Sequence, residues 1–286
     1  MKIIRYFFEF IIVITFFFIF KIIGYKNASN LGNLIGKKIG PLFRSRHKIQ
    51  ENLKNSNISN SEKDIKIIIN NMWGNYGRIL SEYVYLKQFR EDKLNEFIEI
   101  KGLDILNEIK KNNEQVIFIS GHFNNFELMA MNIEKFGIDL AAIYRPLNNK
   151  FLNPLMEKIR EKYICKKQVK KGVSGTREIL RHFKNGSSIA LMIDQRVSEG
   201  IKADFFGYPA LTTTIPAQFI KKFNTKIVPV YIERTNNNLF KLEFYEAIKF
   251  DKNEGLQSIT LELNKILEKM ILKNPDQWIW THNRWK

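Results

Sequence analysis

A chain of 286 residues with 44% hydrophobic content can bury one large core, and 46 Lys and Arg against 29 Asp and Glu leave a formal charge of +17. Such a surplus attracts an anionic partner, whether nucleic acid, an anionic membrane face or an acidic carrier protein; a generally soluble basic surface is the plain alternative. The one cysteine, Cys165, excludes an internal disulfide, and no Cys/His set has zinc-ligand spacing.

From Phe10 to Phe20 the chain is unbroken Phe, Ile and Val apart from Thr15, and its apolar character runs from Ile3 to Tyr25 with Arg5, Glu9 and Lys21 as interruptions. A spanning helix needs roughly 20 residues, so this segment could cross a bilayer or lie embedded and tilted. A cleaved signal peptide is the competing reading; Lys21 and Lys26 follow the apolar run at once and no A-x-A site appears, so an uncleaved anchor over 1–26 is expected. Basic residues downstream (Lys21, Lys26, Lys37, Lys38, Arg44, Arg46) outnumber Lys2 and Arg5 upstream, which puts the body of the protein on the cytoplasmic side.

Residues 27–95 form a helical, membrane-proximal segment. Its basic, Asn-rich first part, with Gly32, Gly36, Gly40 and Pro41, predicts a short amphipathic helix and then a loop over the membrane surface. Over 61–90 the apolar residues Ile65, Ile68, Ile69, Met72, Trp73, Tyr76, Ile79, Leu80 and Tyr83 fit one helical face, after a capping-box start at Ser61. From about residue 96 strands and helices alternate. Strands are expected at 97–101, 116–120, 140–144, 188–193, 227–233 and 240–245, the last two around a turn at Asn236-Asn237-Asn238. Helices are expected at 103–112, 150–162, 174–185 and 255–273. The pattern predicts an α/β domain over 96–286 with a mixed, mostly parallel sheet flanked by helices.

Four blocks carry candidate chemistry. In the first, an apolar strand ends in Gly121 and His122, and Glu127 follows five positions later at the start of a helix. Ligands meet open sheets at such strand ends. A carboxylate on Nδ1–H would leave Nε2 as the proton acceptor, so His122 and Glu127 form a candidate general-base dyad; a structural surface histidine is the alternative. In the second, Asp194-Gln195-Arg196 ends another apolar strand, with Phe205-Phe206-Gly207 about ten residues on. Asp194 would cap the next segment or orient a nearby Arg or a substrate group. The third ends a strand in Tyr144-Arg145-Pro146-Leu147, where Arg145 is either an exposed charge or an anion clamp. In the tail, Trp278, Trp280 and Trp285 would close the core or sit near the membrane interface.

Together, Gly-His-x4-Glu after a strand, Tyr-Arg-Pro-Leu-Asn-Asn, Asp-Gln-Arg with its Phe-Phe-Gly, and a terminal Gln-Trp-x-Trp-x-His-x-Arg-Trp-Lys resemble the late, secondary lipid A biosynthesis acyltransferase family, of lauroyl and myristoyl transferase type. The resemblance runs from the N-terminal anchor to the last residue. It implies a glycerolipid-acyltransferase-like fold and acyl transfer from acyl-carrier protein to the hydroxyl of a 3-hydroxyacyl chain on an anionic Kdo-lipid A precursor at the inner membrane. It implies no metal, cofactor or nucleic acid. By the family's H-x4-D/E motif, His122 would be the general base and Glu127 its partner, with Arg145, Asp194, Gln195 and Arg196 lining the substrate site. The family's loop often reads Gly-Asn-Trp before the acid; this chain has Asn124-Asn125-Phe126, which keeps the aromatic but drops the Gly. Oxyanion donors would come from backbone N–H groups near 122–126 or from Arg145. Two other readings are an acyltransferase acting on another membrane glycolipid or aminolipid, and a non-enzymatic basic protein that binds a membrane surface.

Overall fold

The structure, a computed structural model, describes residues 2–59, 61–235 and 238–286. Helix α1 (Lys2–Ile23) is long and apolar enough to cross a membrane by length and composition. Gly24, at φ 79°, breaks it from α2 (Tyr25–Ile39). The loop expected after α2 is instead a short 3-10 turn (Gly40–Leu42) and a third helix, α3 (Arg46–Asn55). Its Ile49 and Leu53, one turn apart, are fully buried, and that burial outweighs the polar composition around them.

Helix α4 (Glu62–Glu82) starts where the Ser61 side chain accepts the Asp64 N–H, as the capping residues predict. It packs closely along α2, and the glycines explain how. A Cβ on Gly77 would collide with the Gly32 carbonyl oxygen, and one on Gly36 with the Trp73 carbonyl, so only bare backbone permits this approach. The helix expected over 61–90 is not continuous. At Tyr83–Tyr85 it tightens into a 3-10 turn before α5 (Leu86–Arg90), burying Tyr83, Tyr85, Leu86 and Phe89.

Seven strands build the main sheet in the order β1-β9-β8-β2-β5-β3-β4. They are β1 (Ile98–Lys101), β2 (Val116–Ser120), β3 (Leu140–Tyr144), β4 (Lys167–Lys170), β5 (Ser188–Met192), β8 (Lys226–Arg234) and β9 (Phe240–Phe244). Every pairing is parallel except β8 with β9, so the sheet is mixed and mostly parallel, as the alternation predicts. Strand β2, buried at all five positions, lies in its middle. Helices α6 (Leu103–Lys111), α7 (Glu127–Lys135), α8 (Leu152–Tyr163), α9 (Val173–Lys184), α10 (Ile215–Phe223) and α11 (Leu256–Lys273) flank it. Asn236 and Asn237 of the expected turn lie outside the described residues.

Sequence reasoning missed the edge strand β4, which reads Lys-Gln-Val-Lys and has no apolar pattern of its own. It also missed an antiparallel hairpin of β6 (Ile201–Phe205) and β7 (Tyr208–Thr212). The Phe-Phe-Gly block proves to be that hairpin's turn: Phe206 (φ 54°) and Gly207 (φ 76°) both take positive φ, as a tight two-residue hairpin loop requires.

Candidate active site

Strands β2 and β5 are parallel neighbours in which Ser120 stands opposite Met192. Two residues beyond each, His122 and Asp194 therefore emerge side by side at the carboxyl edge of the sheet. His122 Nδ1 lies 2.8 Å from Asp194 Oδ1, and the His122 backbone N–H donates to Oδ2 at 2.8 Å. The Trp278 indole N–H donates to the same Oδ2 at 2.9 Å. The Asp194 side chain is wholly buried, whereas that of His122 is 22% exposed. With Nδ1–H directed at the carboxylate, Nε2 is left as the acceptor.

Electrostatics follow from this packing. Burial alone would push the His122 imidazole down, but the charge and hydrogen bond of Asp194, with help from the Glu127 charge, overcome it and raise its pKa. Burial would raise Asp194, yet the His122 charge, both His122 N–H groups and the Trp278 indole hold it at about 2. The pair is thus an ionised carboxylate behind an imidazole poised to take a proton.

The partner expected for His122 is corrected. Glu127 does not occupy Nδ1, because Asp194 fills that position from the next strand. Glu127 is buried at the start of α7, where its Oε1 accepts from Arg160 Nε at 3.0 Å, from Arg160 Nη2 at 2.9 Å and from the Tyr83 hydroxyl. It reaches His122 through its charge. Asp194 likewise orients the histidine itself, not an Arg. Gln195 Nε2 stands 3.5 Å from His122 Nδ1. Arg196 turns away to the tail: its Nε donates to the Lys286 carbonyl at 3.0 Å and its backbone N–H to His282 Nε2 at 2.9 Å. Arg145 is exposed at the end of β3, one strand beyond β5 on the same edge.

The loop between His122 and α7 is held tightly. Asn124, at φ 39°, takes the left-handed conformation that suits glycine and that Asn tolerates. Its side chain donates to Gln277 Oε1 at 2.8 Å and accepts the Asn125 N–H at 2.8 Å. Of the backbone donors considered for an oxyanion, four are already used: Phe123 N–H bonds Gly121 O and Asn124 N–H bonds Gln277 O, while those of His122 and Asn125 bond side chains.

A narrow cleft of about 20 Å³ opens beside His122, lined by Met72, Tyr76, Phe126, Gln277 and Trp278 among others. The tail is therefore a wall of the site. Trp278 and Trp280 are buried, so they close the core and do not sit at a membrane interface. His282 is half-buried, and desolvation pushes its pKa down to about 4. Arg160, Tyr83 and Trp278 were not foreseen as site residues, since each meets its partner across 33 to 84 positions of sequence and no local spacing signals that.

An imidazole backed by a buried carboxylate at the open edge of an α/β sheet is a site able to deprotonate a bound acceptor, as group-transfer enzymes require. Sequence comparison makes the class specific. The family model for bacterial lipid A biosynthesis acyltransferases matches residues 1–286, and the chain belongs to that family. It is accordingly an acyltransferase of lipid A biosynthesis. Among its relatives, the lipid A biosynthesis palmitoleoyltransferase of Escherichia coli is 24% identical over 264 residues, covering 90% of this chain and 84% of that one. The lipid A biosynthesis myristoyltransferase of the same organism is 21% identical over 256 residues, covering 86% and 77%. Among solved structures, the 1-acyl-sn-glycerophosphate acyltransferase PlsC from Thermotoga maritima is similar with a TM-score of 0.41 at 13% identity, covering 90% of this chain and all of that one.

Proposed function

We propose that this acyltransferase moves a fatty acyl chain from acyl-carrier protein to the hydroxyl of a 3-hydroxyacyl chain on a Kdo-lipid A precursor, with His122 as general base and Asp194 as its positioning carboxylate. The observation that carries the mechanism is the 2.8 Å contact of His122 Nδ1 with the buried Asp194, beside a cleft. Nε2 takes the proton of the acceptor hydroxyl as its oxygen attacks the thioester carbonyl. The tetrahedral intermediate then collapses, and the departing thiolate recovers the proton from the imidazolium. The thioester is already activated, so no further group is required to drive the transfer. Arg145 and Gln195 stand at the same edge and would meet the acceptor, whose phosphates suit a +17 chain.

The reaction is assigned to the cytoplasmic face of the inner membrane. The basic residues in the last turn of α1 and beyond it, including Lys21, Lys26, Lys37 and Lys38, favour the anionic cytoplasmic leaflet. Mass spectrometry of lipid A from cells with the protein, without it, and with His122→Ala tests the reading. One acyl chain should be missing in the last two. Complete lipid A in the His122→Ala cells would reject the mechanism, and identical lipid A with and without the protein would reject the acceptor.

A further inference from the structure

Helix α1 has two faces along its whole length. One face, carrying Tyr6, Glu9, Phe10, Val13, Phe17 and Phe20, is half-buried or buried, while the other, with Ile4, Phe8, Ile11, Ile12, Phe18 and Ile22, is exposed. The buried face is held at both ends. Near its C-terminal end, the Tyr85 hydroxyl donates to the Phe20 carbonyl, and Lys21 Nζ reaches the Val84 carbonyl at 3.4 Å. Near its N-terminal end, Asn149 Nδ2 donates to the Tyr6 carbonyl at 2.8 Å and to Glu9 Oε2 at 3.1 Å. The Phe151 ring meets Phe7 and Phe10 at centroid distances of 5.7 and 6.1 Å. These attachments are about 20 Å apart along the helix axis, at 1.5 Å per residue.

That spacing conflicts with a helix crossing the bilayer. If Ile23 marked the cytoplasmic boundary, Phe7 would lie about 24 Å deep in a hydrocarbon layer about 30 Å thick. Asn149 and Phe151 would be drawn to the same depth. They belong to the irregular segment between β3 and α8, which also carries the exposed cations Arg145 and Lys150. Irregular, lipid-exposed backbone does not occur in the hydrocarbon region, and cations there are costly. Glu9, paired with Arg5 at 3.0 Å and bonded to Asn149, would lie there too.

We propose that α1 does not cross the bilayer but lies in the plane of a single leaflet. Its exposed Ile and Phe stripe enters the acyl chains, and its other face stays docked on the catalytic domain. Lys2, Arg5, Lys21 and Lys150 then sit at headgroup depth, where an anionic leaflet complements them. The carboxyl edge of the sheet is held at the membrane surface, where a lipid hydroxyl can reach His122. This inference uses the membrane address given under the proposed function and no other part of that reading.

Thiol labelling of the full-length chain with a membrane-impermeant maleimide tests it. Native Cys165 is buried, so the unaltered chain supplies the background. Lys2→Cys should label in inverted inner-membrane vesicles and stay unlabelled in spheroplasts, whose exposed face is periplasmic. Labelling in spheroplasts would overturn the proposal. A second measurement, a short bis-maleimide bridge between Glu9→Cys and Asn149→Cys in native membranes, should form readily; failure to form it would remove the docked arrangement. Neither readout uses catalysis, so loss of acyl transfer would reject the proposed function and leave the topology standing.

Discussion

Asp194 grips His122 by two atoms of one residue, Oδ1 against Nδ1 at 2.8 Å and Oδ2 against the backbone N–H at 2.8 Å. Ring and main chain are therefore fixed to one carboxylate, which sets both the tautomer and the direction of Nε2. Asp194→Asn keeps the shape but loses the charge that offsets burial of the imidazole. Turnover should fall by roughly 10²–10⁴-fold, the usual contribution of a positioned base. The circular dichroism spectrum should be unchanged, and a rate near wild type would show that the pair does not carry the proton transfer.

The pH profile follows from the same pair, with a definite sign. A general base must be neutral, so activity should fall as pH drops through the pKa of His122, which lies above the ordinary 6.5. Asp194, held at about 2, does not titrate in that range. In any residual activity of Asp194→Asn, the acid limb of kcat/KM should move to lower pH, because burial then acts on the imidazole without the opposing charge.

Trp278→Phe should move that limb the other way. The indole N–H donates to Asp194 Oδ2 at 2.9 Å and withdraws negative charge from it. Without that donor the carboxylate attracts the imidazolium more strongly, and the pKa of His122 rises. The other charges around the pair, Lys171, Glu127 and Arg284, stay as they are. A limb shifted upward, with kcat lowered about tenfold for a lost charge-assisted hydrogen bond, is expected. A limb that stays in place would mean that Trp278 only fills space.

The sheet and its central strand were legible because β2 and β5 are short, continuous apolar runs whose ends carry His122 and Asp194. The partnership between those ends was not legible. It depends on β5 lying next to β2 in the strand order, with β3 beyond it, and nothing local to either run states that order. The H-x4-E spacing pointed to Glu127 because sequence proximity substituted for spatial proximity. Asn124, with its positive φ, turns the chain between the two, and α8 supplies Arg160 to take the carboxylate. Edge strand β4 escaped detection for a related reason: an edge can be polar, so periodicity has little to register.

Glu127→Gln should act on stability more than on chemistry. The carboxylate is almost wholly buried and faces Arg160, whose side chain is only 12% exposed. Removing one partner of a buried ion pair costs about 3–5 kcal/mol, and Gln, which keeps the acceptor oxygen, should fall at or below the lower end. Urea denaturation should show the loss, with a smaller decrease in kcat than for Asp194→Asn. Equal rates for Asp194→Asn and wild type, beside a dead but fully stable Glu127→Gln, would return the base-positioning role to Glu127.

Glu82 and Arg234 join the helical N-terminal part to the sheet, at 2.7 Å and with both side chains buried. Glu82 also accepts from Ser29 at 2.8 Å and Asn125 at 2.9 Å, so α2, α4, β8 and the loop after His122 meet on one carboxylate. Arg234 lies over the Phe240 ring at 4.2 Å, and its Nε and Nη1 have no hydrogen-bond partner among the described residues. Glu82→Ala would leave this cation buried without its counter-charge, and a loss of about 3–5 kcal/mol is expected. The double variant Glu82→Ala/Arg234→Met removes both charges and should recover part of that loss, since no buried cation is then left without its counter-charge. Chemical denaturation of the four proteins in one double-mutant cycle measures the coupling. A double variant no more stable than Glu82→Ala would mean that the hydrogen bonds to Ser29 and Asn125, and not the ion pair, hold the helices to the sheet.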